Sequence, residues 1–404
     1  MSDYTNISER HKNMLNILRY IMETGEVAAN DIMRATGLSF ATISRVVALL
    51  LDAKFIVKSG KSYTDMGRHP ELFALNGKCG YIVHFLIETD SISAWLSDFS
   101  KHVVAKASSK IARDITLEEL ANKFTELFAA LKERFLLDTS QIFAASIAVP
   151  GAVDDKNHVI CRIPNLSGLN NKDLRKKITE TLGIPVLISN EARFCALGEK
   201  ICHYPLLENI VYVDITKYSG IGAGILINGK IFKGNDGSAG ELGDTIIETH
   251  NLDYDYREQE GCLETLAGLA ALYRRCERLI EEGQAPILKK NLENRPMDFT
   301  MIENTASEER AVEAVYDEIV RMWSIAIINI ISILDPEIVI LGGVLDDKNQ
   351  KTLERIKYYV KKAIYHDVSI ALTTLGERAQ LLGALDMLTS YAFDTIVTEK
   401  IIQI

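Results

Sequence analysis

Between His11 and Glu23, apolar residues recur at helical spacing (Met14, Leu15, Leu18, Ile21, Met22), and Gly25 closes the segment. A shorter helix is predicted over Ala28 to Ala35, stopped by Gly37. Ser39 is then placed to cap a third helix, whose buried stripe is Ile43, Val46, Val47, Leu50 and Leu51. Two short helices joined by a tight, glycine-containing turn are the pattern of a helix-turn-helix. Phe55–Lys58 and Ser62-Tyr63, flanking Ser59-Gly60-Lys61, read as a two-stranded wing, and Gly67-Arg68-His69-Pro70 follows.

After Leu75-Asn76 the pattern changes to alternating strands and helices. Tyr81–Glu88 and Ile92–Leu96 are strand-like around a break at Thr89-Asp90-Ser91, and a polar helix follows near Leu117 to Arg134. Phe143–Val149, Val186–Ser189 and Ile210–Ile215 read as strands, with helices near Lys172–Leu182 and Asn190–Ile201. The last third is mostly helical (Leu263–Glu282, Glu308–Leu334), interrupted by Ile338–Leu341 and Gly342-Gly343. Such alternation predicts an α/β body in two lobes with a cleft between them. The division is therefore a head of residues 1–75 and a body of residues 76–404.

Charge sharpens this division. The 404-residue chain has a net charge of −10, yet residues 1–75 carry nine Lys/Arg against eight Asp/Glu. A near-neutral head on an acidic body suits a DNA-reading module joined to a part that stays off DNA. Ser39, Thr42, Ser44 and Arg45 lie in the first two turns of the third helix, where a recognition helix meets base edges and phosphates. Lys58 and Lys61 on the wing and Arg68 after it are the other candidate contacts, Arg68 being suited to a narrow minor groove. The rival reading of the head is a three-helix bundle that contacts protein.

Six cysteines at 79, 161, 195, 202, 262 and 276 form no CxxC pair, which points to reduced thiols and a cytoplasmic protein. No apolar run reaches the ~18 residues of a membrane span, and the N-terminus lacks a signal-peptide pattern.

A set of segments in fixed order then becomes specific. LSFATISRVVALLLDAKFIV with GRHPELFALN leads to IAVPGAV, IPNLSGL and SNEARFCALGE. SGIGAGILINGKIFKGNDGSAGELGD, GCLET, LDPEIVILGGVL and GERAQLLGAL complete the series. Together they resemble the ROK family (repressor, open reading frame, kinase) in its repressor branch, of the xylose and N-acetylglucosamine repressor type, over essentially the whole chain. The resemblance implies a winged helix-turn-helix followed by a two-lobed actin/hexokinase-like (ribonuclease H-like) ATPase fold around a sugar and nucleotide cleft. It also implies a homo-oligomer, dimer or tetramer, on double-stranded operator DNA, with a small sugar as effector and no membrane partner.

The kinase parts depart from the family pattern. The first phosphate loop reads Ile87-Glu88-Thr89-Asp90-Ser91 with no glycine, so backbone cannot approach a polyphosphate closely, which argues against ATP binding. The glycines of Tyr218–Gly224 and Gly342-Gly343 fit a cleft lining and a tight turn equally well. At the catalytic-base position Asn190-Glu191 stands where the family has Asn-Asp; a carboxylate displaced by about 1 Å costs on the order of 100-fold in rate. No catalytic residue is therefore expected. The family's zinc run is reduced to Cys262, with Asp244, Asp255 and Arg257 at the other ligand positions, so no zinc is expected. The resemblance places Asn165, Asn190, Glu191, Glu241, Asp244 and Glu264 against a sugar. Their carboxylates would repel an anion, favouring a neutral or amino sugar over a sugar phosphate. Some could equally cap helices or pair with Arg193. The rival function is an ATP-dependent sugar kinase with an accessory DNA-binding head.

Overall fold

The computed structural model describes residues 7–61, 70–154, 159–163, 166–217, 220–248, 262–293 and 295–404. The head begins with the helix Glu9–Thr24, which buries Met14, Ile17, Leu18 and Ile21, and Ser8 caps it by accepting from the His11 N–H at 3.3 Å. Gly37, at φ +69°, ends the helix Ala29–Thr36 in the left-handed conformation that glycine adopts without strain. The chain then turns through 116° into the helix Phe40–Asp52. That angle and that connection are the helix-turn-helix geometry.

The wing differs from the expectation. Ile56–Lys61 pairs antiparallel with Glu71–Leu75, and Val27–Ala28 adds a third strand. Ser59-Gly60-Lys61 is part of the first wing strand, with a bulge between Lys58 and Gly60, rather than a turn. In sequence, Gly67-Arg68-His69-Pro70 falls between these two strands, and Gly67 and His69 lie outside the described residues. Ser62, Tyr63 and Arg68 lie outside the described residues.

The body consists of two lobes with the same strand plan. In the first, the antiparallel meander Tyr81–Ile87, Ser91–Asp98 and Val103–Lys110 continues through two parallel strands, Ile142–Val149 and Val186–Asn190. In the second, Ile210–Ile215, Ile221–Ile227 and Lys230–Ile231 form the meander, with Ile338–Gly343 and Ser369–Leu372 parallel beside it. This duplicated sheet plan is that of the actin/hexokinase-like (ribonuclease H-like) ATPases. Val103–Lys110 was not anticipated because only its alternate residues face the core. The expected helix Leu263–Glu282 is two helices, Leu263–Ala267 and Leu269–Glu281, with Gly268 extended between them. Among the described residues, no single helix is long and apolar enough to cross a membrane.

Two helices join the lobes. Glu191–Cys202 and Arg378–Ala392 cross so closely that a Cβ at Gly198 would overlap the Ala379 carbonyl, and one at Gly383 the Phe194 carbonyl. The second of these continues through a π-helical turn, Phe393–Val397, into Thr398–Ile402. There Phe393, Val397 and Ile401 enter the same core as Met14, Ile17, Leu18 and Ile21 of the head. The head's core is thus closed by the C-terminal helices and by Ile82, Phe99 and Phe143 of the first lobe, rather than within residues 1–75.

Candidate ligand cleft and DNA-binding face

A cavity of about 380 Å³ lies between the lobes, at the C-terminal ends of both sheets' first strands. The two meander hairpins face each other across it. The first turn carries Glu88, whose carboxylate accepts from the Ser91 hydroxyl at 2.9 Å and lies 3.6 Å from Lys217 Nζ on the second. A carboxylate thus stands in the first loop where the family's glycine lets a phosphate approach.

Asn190 ends a first-lobe strand and caps the helix that begins with Glu191. Its Oδ1 accepts from the Ala192 N–H at 2.8 Å and its Nδ2 donates to the Gly151 carbonyl at 2.8 Å, so both ends of the amide hold backbone. Glu191, in the first turn, points into the cavity. Burial, and then the charges of Asp214, Glu88 and Glu377, push its carboxyl well up from the ordinary range, against the opposing pull of Lys217. Asp214, in the otherwise apolar strand Ile210–Ile215, is 5% exposed and is pushed up by burial. Glu264 Oε2 accepts from the Ile221 N–H at 3.2 Å, bracing the second hairpin, and Glu241 lines the cavity at the head of a short 3-10 turn.

The cleft therefore gathers Asn190, Glu191, Glu241 and Glu264. Asp244 is exposed and does not line it, and Asn165, Asp255 and Arg257 lie outside the described residues. Asp244 carries other interactions instead. Arg193 is 2% exposed and donates to the Gly237 and Ala239 carbonyls, fixing the loop that leads to Glu241. Asp214, Glu377 and the pair Trp95–Lys106 are cleft residues that sequence reasoning missed. Asp214 left a readable signal: one carboxylate inside the apolar run IVYVDI.

A buried polar chain runs off one wall. His84, fully buried in the first-lobe sheet, meets Gln380 Oε1 at 2.7 Å through Nε2 and the Ser146 hydroxyl at 2.8 Å through Nδ1; the neutral tautomer that satisfies both donates from Nε2 and accepts at Nδ1. It also stacks on Trp95 at 5.7 Å. Burial pushes its pKa down to about 4, so the ring is neutral at physiological pH. Gln380 lies on the helix Arg378–Ala392, whose continuation reaches the head.

On the head, Ser39 accepts from the Thr42 N–H at 3.2 Å and its hydroxyl meets that of Thr42 at 2.9 Å; both are engaged in the cap. Ser44 and Arg45 are exposed on the outward face with Ala41 and Phe40, the last 59% exposed. Phe40 was not anticipated as a surface residue; its place at the first position of the helix, before the buried stripe begins, is the signal. Lys61 is exposed on the wing, whereas Lys58 pairs with Glu71 at 2.9 Å.

A kinase-like two-lobed cleft carrying a winged helix-turn-helix is the class that this geometry defines. The chain belongs to the ROK family, whose pattern matches residues 89–390. It is 27% identical over 395 residues to the xylose repressor of Caldicellulosiruptor bescii, covering 94% of this chain and 95% of that protein. It is 24% identical over 409 residues to the xylose repressor of Bacillus subtilis, covering 98% and 99%. Among solved structures, a ROK family transcriptional regulator described as a homolog of the E. coli MLC protein superposes with a TM-score of 0.77 at 21% identity, covering 98% of this chain and 99% of that one. A ROK family glucokinase from Streptomyces griseus, in complex with glucose and AMPPNP, superposes with a TM-score of 0.62 at 21% identity, over 76% of this chain and 99% of its own. The regulator thus spans nearly the whole chain, and the kinase about three quarters of it.

Proposed function

We propose that this protein is a sequence-specific DNA-binding transcriptional repressor of carbohydrate-metabolism genes, controlled by a sugar bound between the lobes. The relatives named as xylose repressors support the reading, since their likeness runs through the head as well as the body. The observation that carries it is physical continuity. The helix that presents Glu377 and Gln380 to the cleft runs on into the core of the DNA-binding head. Residues 1–75 would read the operator and residues 76–404 would sense the sugar and assemble the oligomer. Ser44 and Arg45 are the outward side chains of the recognition helix, with Lys61 on the wing; Ser39 and Thr42 hold its N-terminus at the backbone. Asn190, Glu191, Glu241 and Glu264 are the proposed sugar contacts.

The cleft is poorly built for phosphoryl transfer. Glu88 occupies the first phosphate loop, and Glu191 stands one methylene longer than the family's aspartate at the base position, which displaces its carboxylate from a sugar hydroxyl. A regulator needs neither. A homodimer in the cytoplasm would set two recognition helices about one DNA turn, ~34–36 Å, apart on a pseudo-palindromic operator. Sugar binding would shift DNA affinity only by its differential affinity for two arrangements of the lobes.

The test is binding of the full-length protein to DNA from its own upstream region at two salt concentrations, with a panel of sugars. Selective binding released by one sugar is the expected result. Absence of selective binding, together with saturable sugar-dependent ATP hydrolysis lost in Glu191→Gln, would establish the kinase instead.

A further inference from the structure

We propose that the ligand of this cleft is an amino sugar, whose protonated primary amine sits against Asp214 and Glu191. The proposal rests on the reading of the cleft as the effector site and names the chemical class of the effector.

Asp214 is the starting point. It is 5% exposed, lines the cavity, and makes no side-chain hydrogen bond or ion pair among the described residues. Its Oδ1 lies 2.6 Å from where a Cβ on Gly343 would be, beside the Ile215 carbonyl, so a side chain at Gly343 would crowd both. A buried carboxylate without a partner costs several kcal/mol unless it is neutralised or paired. Four other acidic side chains line the same cavity with Glu191: Glu88, Glu241, Glu264 and Glu377. Among the described residues the lining cations are Lys106 and Lys217. Lys217 faces Glu88 at 3.6 Å and Lys106 lies 4.7 Å over the Trp95 ring, so both cations are directed to other groups than Asp214.

Ligand classes can be sorted against this charge. A sugar phosphate would add negative charge to an acidic cavity. A neutral sugar would bring no positive charge, leaving the Asp214–Glu191 pair to be neutralised by a proton alone. No cluster of three or more side chains among the described residues has the geometry to hold a metal ion. A primary ammonium brings one positive charge and three N–H donors, suited to two carboxylates. The cavity of about 380 Å³ is of ligand-pocket size, and the acidic residues toward Glu241 and Glu264 accept from hydroxyls.

Proton balance gives the proposal a signature. Glu191 and Asp214 are raised by burial, with Glu88 and Glu377 adding to Glu191 and Lys217 opposing; Cys195 and Tyr212 beside them are themselves pushed up and stay neutral. The empty pair therefore retains a proton near neutral pH. An arriving ammonium displaces it, the carboxylate becoming the ammonium's counter-ion and the proton passing to buffer.

The experiment is calorimetry of the full-length protein at pH 7 with 6-amino-6-deoxyglucose, glucosamine, glucose and N-acetylglucosamine, each in two buffers of different ionisation enthalpy. One of the amines should bind at least tenfold more tightly than glucose and N-acetylglucosamine, with net proton release. In Asp214→Asn the preference should collapse to less than threefold, while operator affinity without ligand shows the variant folded. Neutral sugars that bind as tightly as the amines, or amine binding without proton release, would overturn the proposal and leave the sugar-regulated reading standing. Binding of none of the four to a protein that holds its operator would overturn the proposal, and failure of xylose and the rest of the sugar panel to release that operator would overturn the sugar-regulated reading as well.

Discussion

Arg19 of the first head helix and Asp394 of the C-terminal π turn meet at 2.5 Å, and the same guanidinium lies 4.6 Å over the Phe393 ring. Arg10 repeats the contact further along, donating to the Ile404 carbonyl at 2.5 Å. Both members of the Arg19–Asp394 pair are about half exposed, 48% and 57%, so its worth to stability is about 0–1 kcal/mol. Its place, between the end of the cleft helix and the head, gives it a different use. Asp394→Ala is expected to change unfolding free energy by less than ~1 kcal/mol and leave effector affinity for the free protein near normal. The effector-induced loss of operator affinity, typically a coupling of ~1–3 kcal/mol, should shrink. Fluorescence anisotropy of labelled operator with and without effector measures it; unchanged coupling would mean that the signal travels elsewhere.

The DNA-binding face yields a prediction in which neighbouring lysines behave differently. Lys58 is held by Glu71 at 2.9 Å, while Lys61 extends from the same strand without an ion pair among the described residues. Lys61→Ala should lower operator affinity across sequences and reduce the slope of log affinity against log salt by about 1. Glu71→Gln should do the opposite, since it frees Lys58 for a phosphate. Arg45→Ala, on the recognition helix, should cost about 1–3 kcal/mol and relax the sequence preference at one base pair. Titrations at several salt concentrations separate the three effects.

Gly198 and Gly383 make a stability prediction at the joint between lobes. At each, the atoms that a methyl group would strike are backbone of the opposite helix, which cannot rotate away. Gly198→Ala and Gly383→Ala should each destabilise by ~1–3 kcal/mol, the usual cost of overpacking, although alanine is the better helix former. Urea unfolding reads the loss. Variants as stable as the wild type would show that the helices can separate freely.

Much of this architecture was legible because local pattern and tertiary role agree. Ser39 caps and Ile43, Val46, Val47 and Leu50 are buried, as the 3.6-residue period requires. The strands Ile142–Val149 and Ile210–Ile215 are apolar runs, interrupted by Ser146 and Asp214, because both faces of each sheet are covered. The wing was misjudged because pairing is not a local property. Glu71–Leu75, separated from its partner by nine residues, pairs there and places Phe73 in the head core. At the cleft, motif order led to Asn190, Glu191, Glu241 and Glu264. It could not show that Asn190 spends both ends on backbone, or that Asp244 faces away. Nor could it show that Asp214, Glu88 and Glu377 converge from three separate segments; that convergence is made by the closing of the two lobes.

His84 supplies a prediction with a definite sign. Its pKa is about 4 in the folded protein because burial disfavours the charged ring, against an ordinary value of 6.5. Between those values the unfolded chain takes up a proton that the native state refuses, so stability falls as pH drops from about 6.5 toward 4. From pH 7 to pH 5 this one residue should remove roughly 2 kcal/mol. Protonation would also force the Ser146 hydroxyl to turn from donor to acceptor, disturbing the chain that ends on Gln380. His84→Gln keeps hydrogen-bonding capacity without titrating. The difference in unfolding free energy between pH 7 and pH 5 should therefore be smaller in the variant by that amount. Other titrating groups, including the raised pair Glu191 and Asp214, cancel in the comparison because they are common to both proteins. Denaturant unfolding of both at the two pH values decides the point. An equal pH dependence would place the imidazole in contact with water and break the proposed link from the first-lobe sheet to the C-terminal helix.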